Sequence, residues 1–276
     1  MKKLLFFCLG VLLLLSSCGT TNTLSHQGMA RIKEYDFYHA DIPDSFDGFR
    51  IAFASDLHYK SKFKEKELAG LVNTVNALNA DVLLLGGDYQ EGCEYVPELV
   101  RRLAEIKTRF GTIGVMGNND NDYERCHDEI IEQMERVGIR ILEHENDTLS
   151  IGHERIIISG VRNPFNLSTN GTSPTLALKP EDFVILLTHT PDYAEDVDIS
   201  NTDLALAGHT HGGQITLFGL YAPKTGSRYG QRFRTGKKEN SKGIPVIITN
   251  GLGTSRMNFR LFAPSEVVLI RLHRVK

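Results

Sequence analysis

Seven side chains able to hold a metal ion sit where apolar runs of this sequence end. Asp56 and His58 follow FRIAFAS (residues 49–55), Asp88 closes DVLLLGGD, and Asn118 closes GTIGVMGN. His189 closes FVILLTH, while His209 and His211 belong to GHTHGG (residues 208–213). Carboxylates, imidazoles and one amide together suit borderline divalent metals such as Mn, Fe, Co or Zn. The set contains no Cys, which argues against a structural zinc site. Singly, each residue says little: an Asp-x-His pair is usually surface chemistry, and a His after a strand is usually structural. The glycine-flanked His209-x-His211 pair says more, because glycine lets the backbone turn sharply and leaves room for a ligand. Their common position at strand ends joins the seven.

The elements that must position them are legible as periodicity. Glu65–Leu78 places Leu68, Leu71, Val72, Val75 and Leu78 at helical spacing, and residues 96–106 and 122–137 also read as helices. Three strand–loop–helix units therefore follow one another, the pattern of a parallel sheet with covering helices. Ligands in such sheets bind beyond the carboxyl ends of the strands. Residues 30–40 read as a lead-in strand. The second half holds six further strand-like runs, ERIIISGV, FVILLTH, TDLALAGH, QITLFG, IPVIITNG and EVVLIRLHRV, expected to form a second, mixed sheet packed on the first. No linker-like run divides the chain, so residues 30–276 are read as one catalytic domain.

The N-terminus carries an address. Lys2 and Lys3 precede an apolar run from Leu4 to Leu15, which is short for a bilayer span but suits a signal-peptide core. Leu15-Ser16-Ser17-Cys18 resembles the lipobox of bacterial lipoproteins, implying cleavage before Cys18 and its lipidation. Residues 1–18 are then a leader and 19–29 a polar tether, and the expected location is the extracytoplasmic face of the bacterial envelope membrane. An uncut anchor is the rival reading. Cys93 and Cys126 remain as a candidate disulfide in that oxidising setting. The 276 residues are 41% apolar and 24% charged with a net charge of -3, which gives no global push toward nucleic acid.

The blocks Asp56-Leu57-His58, Gly87-Asp88, Gly117-Asn118, His189 and Gly208-His209-Thr210-His211, in that order, resemble the signature of the calcineurin-like metallophosphoesterases. The flanking DIPDSFDGFRIAFASDLH, LTHTPD, GHTHGGQ and NGLGTS resemble the family's exported bacterial, YkuE-type phosphodiesterase branch. The resemblance implies an α/β fold of two mixed β-sheets packed face to face with flanking helices, a four-layer αββα sandwich. It implies two divalent ions per chain. Asp56, His58, Asp88 and His211 would hold one, and Asp88, Asn118, His189 and His209 the other, with a bridging hydroxide as nucleophile on an anionic phosphate ester.

The sequence departs from that pattern where many relatives carry a proton-donating His. Asn119 stands there, followed by Asp120. An amide donates a hydrogen bond but gives up no proton near neutral pH. This favours phosphodiester or pyrophosphate substrates over alkyl monoesters, with Asp120 or His127 as rival proton sources. Glu91 stands three positions after the bridging Asp88, where the family often keeps an acid. Arg228, Arg232 and Arg234 lie in a basic, glycine-rich stretch (residues 223–243) and are candidate substrate-binding residues or simply a solvated loop. Two alternatives remain open. One resembles UDP-2,3-diacylglucosamine diphosphatase, against which the exported N-terminus counts; the other is a non-catalytic metal- or phosphate-binding relative.

Overall fold

The computed structural model describes residues 31–121, 124–162 and 171–275; the leader, Cys18 and the tether lie outside them. The apolar runs form strands because both faces of each are covered. Ile51, Phe53, Val82, Leu84, Ile113 and Val115 point to one side, and Ala52, Ala54, Leu83 and Leu85 to the other, all buried. Strands buried on both faces read as continuous apolar runs rather than alternating ones.

Twelve described strands make two six-stranded sheets. The first has the order β1-β12-β2-β3-β4-β5. Its members are β1 (Arg31–His39), β2 (Arg50–Ala54), β3 (Val82–Leu85), β4 (Thr112–Gly114), β5 (Ile139–Ile141) and β12 (Glu266–Arg274). β2 to β5 are mutually parallel. The second has the order β10-β11-β9-β8-β7-β6. It comprises β6 (Glu145–Ile151), β7 (Glu154–Gly160), β8 (Val184–Thr188), β9 (Leu204–Ala207), β10 (Gly236–Glu239) and β11 (Pro245–Ile248). β11, β9, β8 and β7 are parallel.

The sheets pack face to face through a core that joins Phe53 and Leu84 of the first to Ile158, Leu187 and Leu206 of the second. Full burial of each such side chain stabilises by about 1.5–3 kcal/mol. Helices α1 (Glu65–Leu78), α2 (Val96–Leu103) and α4 (Glu124–Arg136) cover the outer face of the first sheet, and the one-turn α3 (Asn118–Asn121) precedes α4. The α1 stripe expected at Leu68, Leu71, Val72, Val75 and Leu78 is buried. Glu67 accepts from the Lys64 backbone N–H at 3.0 Å and fixes the helix start.

Two expectations are corrected. EVVLIRLHRV does not join the second sheet: β12 lies inside the first, parallel to β1 and antiparallel to β2. Its Val268 and Ile270 face the inter-sheet core while Val267 and Leu269 face the helices, so it needs a central position. QITLFG forms no strand; residues 214–221 make an exposed turn held by isolated bridges from Ile215 to Leu261 and from Leu217 to Tyr221. The layer outside the second sheet is thin among the described residues. There α5 (Tyr193–Asp196) and Phe233 cover Leu186, Ala205 and Val246.

Candidate metal centre

The parallel strands of both sheets end at one edge, and the seven residues converge there. Ligand atoms of Asp56, His58 and His211 all lie within 4.8 Å of one another, and those of Asp88, His189 and His209 do likewise. Asp88 links the groups: its Oδ2 is 3.2 Å from His58 Nε2 and 3.4 Å from His189 Nε2. Asn118 Oδ1 lies 3.2 Å from His189 Nε2 and joins the second cluster.

The surrounding hydrogen bonds leave the correct ring nitrogens for a metal. His58 Nδ1 sits 2.5 Å from Glu91 Oε1, so it donates there and leaves Nε2 as the lone-pair nitrogen. His58 Nε2 is buried and faces Asp88 Oδ2 at 3.2 Å. His189 Nδ1 donates to the Gly86 carbonyl at 2.7 Å and likewise turns Nε2 inward. Outer partners that fix the tautomer of a ligating His are the usual accompaniment of a metal site. The residues present therefore fit divalent cations.

The backbone is bent to present them. Asp56, His58, Asp88, His209 and His211 all have positive φ, between 42° and 67°. Non-glycine residues rarely adopt this region, and such strain gathers at functional sites. Close approach of neighbouring loops demands Gly208 on space alone, because a Cβ there would meet Ser55 and the Asp56 carboxylate. Asp56 accepts from Ser55 Oγ at 2.7 Å and from the His209 N–H at 2.9 Å. The Gly253 N–H donates to the Asp56 carbonyl at 2.7 Å, so NGLGTS wraps the first ligand loop.

Charge in the cluster is held by protons where no cation is present. Burial alone lowers the pKa of His58, but its bonds to Asp88 and Glu91 and the charges of Asp88 and Asp56 outweigh this and push it up to about 10. For His189, burial is outweighed by the charge and hydrogen bond of Asp88, and the pKa rises to about 9. Burial opposes ionisation of Asp56 and Asp88, yet the histidines hold both below the usual carboxylate range. Burial keeps His209 and His211 neutral, His211 at about 3.

The remaining predicted residues fall into place unevenly. Asp120 is fully buried, and its oxygens accept from the N–H groups of Asp88 (2.7 Å), Tyr89 (2.8 Å) and Gly117 (2.8 Å). Burial and the Asp88 charge raise its pKa to about 6. It pins the β3 and β4 loops together: fully buried and committed to three backbone N–H groups, it is placed as an anchor rather than as the expected proton donor. Asn119 is half-buried at the clusters: its N–H donates to Asp88 Oδ1 at 2.8 Å and its side-chain amide to the Gln90 carbonyl at 2.6 Å. His127 is engaged by Asp128 at 2.8 Å and Glu143 at 2.7 Å, away from the centre.

Arg228, Arg232 and Arg234 are also corrected as substrate-binding residues. Arg228 pairs with Asp196, Arg232 makes a two-pronged pair with Glu195 at 3.0 and 3.1 Å, and Arg234 donates to the Gly212 and Gly219 carbonyls. The acids that neutralise the first two lie on α5, some thirty residues upstream. Lys224 and Arg256 line the cleft instead, with Asp88, Asn118, His209 and His211; its volume is about 580 Å³. Neither makes an ion pair among the described residues, and no local sequence signal separated them from other surface cations. Cys93 and Cys126 are joined, their Cα atoms 5.2 Å apart, stapling the segment after β3 to α4.

Fold and site together define a metal-ligating α/β sandwich with its clusters at the carboxyl edge of both sheets. The chain belongs to the calcineurin-like phosphoesterase family, whose model matches residues 49–213 and so contains all seven candidate ligands. It is 29% identical to the uncharacterized metallophosphoesterase YkuE of Bacillus subtilis over 88% of this chain and 86% of that one. An uncharacterized metallophosphoesterase of Campylobacter jejuni is 28% identical over 84% of this chain, which spans 61% of that relative's length. Among solved structures, the sulfate thiohydrolase SoxB of Thermus thermophilus matches with a TM-score of 0.46 and 13% identity, over 84% of this chain and 57% of that one.

Proposed function

We propose that this protein is a two-metal phosphoesterase acting on phosphodiesters or pyrophosphates at the cell envelope. The observation that carries the reading is Asp88, whose Oδ2 stands 3.2 and 3.4 Å from inward-facing nitrogens of the two clusters. Divalent ions bound there supply Lewis acidity, a lowered pKa for a nucleophilic water and compensation of phosphoryl charge. The chain's own residues do the rest. Glu91 and the Gly86 carbonyl hold His58 and His189 in the ligating tautomer. Lys224 and Arg256 place positive charge at the mouth of the cleft, where an anionic ester enters.

Asn119 sets the leaving group. Its amide is tied to the Gln90 carbonyl and transfers no proton. A general acid typically contributes about 10²–10⁴-fold, and its loss weighs most on alkoxide leaving groups. Phosphate and acidic hydroxyls leave without it, hence the diester or pyrophosphate class.

The leader and the Leu15-Ser16-Ser17-Cys18 sequence support export and lipid anchorage, and the Cys93–Cys126 bond supports an oxidising compartment. The test is direct: the Mn²⁺-loaded protein is assayed on bis(p-nitrophenyl) phosphate and p-nitrophenyl phosphate. Diesterase activity above monoesterase activity is expected, lost in Asp88→Asn. Absence of both activities, or an unaffected Asp88→Asn, refutes the enzyme reading; a stronger monoesterase refutes the leaving-group argument. Palmitate labelling that persists in Cys18→Ser refutes the anchor.

A further inference from the structure

The cleft opens beside a large apolar surface that the chemistry of the metal clusters does not use. Leu217, Phe218, Leu220 and Tyr221 on one turn and Met257, Phe259, Leu261 and Phe262 on another are all exposed, Leu220 by 81% and Phe218 by 79%. The turns form one unit. Thr216 N–H donates to the Leu261 carbonyl, the Phe218 and Phe262 rings lie 5.6 Å apart, and Gln214 Nε2 donates to the Ser255 and Met257 carbonyls. Contiguous exposed apolar patches of this kind mark interaction surfaces. Phe218 and Phe262 are moreover held at φ 52°, a conformation unfavourable for bulky side chains, with their rings in solvent. The same unit lines the cleft through Gln214, Ile215 and Met257.

Two observations identify the occupant. The two turns carry no acid: residues 214–226 and 251–265 contain no Asp or Glu, and Lys224 and Arg256 stand unpaired among the described residues at the cleft rim. The described chain also enters the fold at this place. The Arg31 N–H donates to the Ser265 carbonyl, three residues from Phe262 and thus within about 11 Å along the chain. Twelve residues separate Cys18 from Arg31 and reach at most roughly 45 Å, so a membrane-held Cys18 keeps this face near the lipid.

We propose that the two turns are a membrane-docking surface. Leu217, Phe218, Leu220, Phe259 and Phe262 enter the headgroup boundary of an anionic bilayer, and the cleft faces it. The substrate is then a phosphate ester whose acyl portion remains in the lipid while its phosphoryl group reaches the metal clusters. Docking stands without any enzymatic premise, whereas the substrate class rests on the phosphoesterase reading.

The chain contains no tryptophan, so a single introduced Trp reports its own position. Full-length Leu220→Trp and Phe262→Trp, purified from membranes, are reconstituted in vesicles of phosphatidylcholine and phosphatidylglycerol. Brominated phosphatidylcholine should quench both by roughly twofold or more, because interfacial apolar groups sit about 5–10 Å into the headgroup boundary. Tyr38→Trp, seven residues along β1 and so about 23 Å from the Arg31 end, should not be quenched. Two unquenched rim reporters, or equal quenching of Tyr38→Trp, overturn the proposal. So does a rim reporter that is blue-shifted without quenching and reverts on dilution in detergent, which identifies a second copy of the chain as the cover.

For the substrate, a diacyl p-nitrophenyl phosphodiester in the same vesicles is compared with soluble bis(p-nitrophenyl) phosphate. The ratio of acylated to soluble turnover should fall roughly tenfold in the Leu220→Asp, Phe262→Asp double variant. An unchanged ratio overturns the substrate class. Loss of both activities in the parent protein overturns the phosphoesterase reading, and the substrate class with it, while quenching still decides docking.

Discussion

Loading the metal centre should release about two protons per chain at pH 7. In the cation-free cluster Asp56 and Asp88 are already ionised, and His209 and His211 are already neutral. His58 and His189, with pKa values of about 10 and about 9, are the ligands that still carry an extra proton. That proton occupies Nε2, the nitrogen facing Asp88, because each Nδ1–H is committed to Glu91 or to the Gly86 carbonyl. A cation must displace both protons, so the overall loading constant rises about two powers of ten per pH unit below pH 9. Between pH 6 and pH 8 that is about 10⁴-fold, or about 5 kcal/mol. The sign follows from the direction of the shifts: a raised histidine pKa means that protons compete with the metal up to a higher pH. Calorimetric titration of the chelated protein with Mn²⁺, in buffers of different ionisation enthalpy, counts the protons. Glu91→Gln removes one of the partners that raise His58 and should lower the count at pH 8. Fewer than about one proton released, with an affinity flat between pH 6 and pH 8, would refute the charge assignment.

Three further outcomes follow from the geometry. Gly208→Ala drives a Cβ into Ser55 and the Asp56 carboxylate, and should cost about 1–3 kcal/mol of stability and most of the bound metal; metal analysis giving wild-type occupancy would contradict this. Asn119→His should raise turnover of diesters with alkyl leaving groups by about 10- to 100-fold and add an alkaline limb to the pH profile, with no comparable gain for p-nitrophenyl esters; an equal gain for both would show that the position does not act on the leaving group. The Cys93→Ser, Cys126→Ser double variant opens a bridge between residues 33 apart and should lose about 3–4 kcal/mol, read from denaturant midpoints; an unchanged midpoint would place the bond outside the stability of the fold.

What the sequence disclosed of this site, and what it withheld, divides along the range of the interactions. Asp56, Asp88, Asn118, His189 and His209 were legible because a polar side chain at the end of an apolar run is a local signal. Asp120 was misread because its partners, the N–H groups of Asp88 and Tyr89, come from another strand loop about thirty residues away. Arg228 and Arg232 were misread for the same reason, since Asp196 and Glu195 reach them from α5. β12 went to the wrong sheet because its unbroken apolar run states that both faces are buried and says nothing about which neighbours bury them. The positive φ of five ligands left no mark in residue type, for aspartate and histidine stand where glycine would be easier. That mismatch is itself informative. Asp120 anchors the Asp88 backbone and Gly208 leaves room beside Asp56, so part of the ligand geometry rests on residues outside the ligand set. The strain is local, while the restraints that keep it come from both sheets. A variant that loosens the contact between the sheets should therefore lose metal before it loses fold.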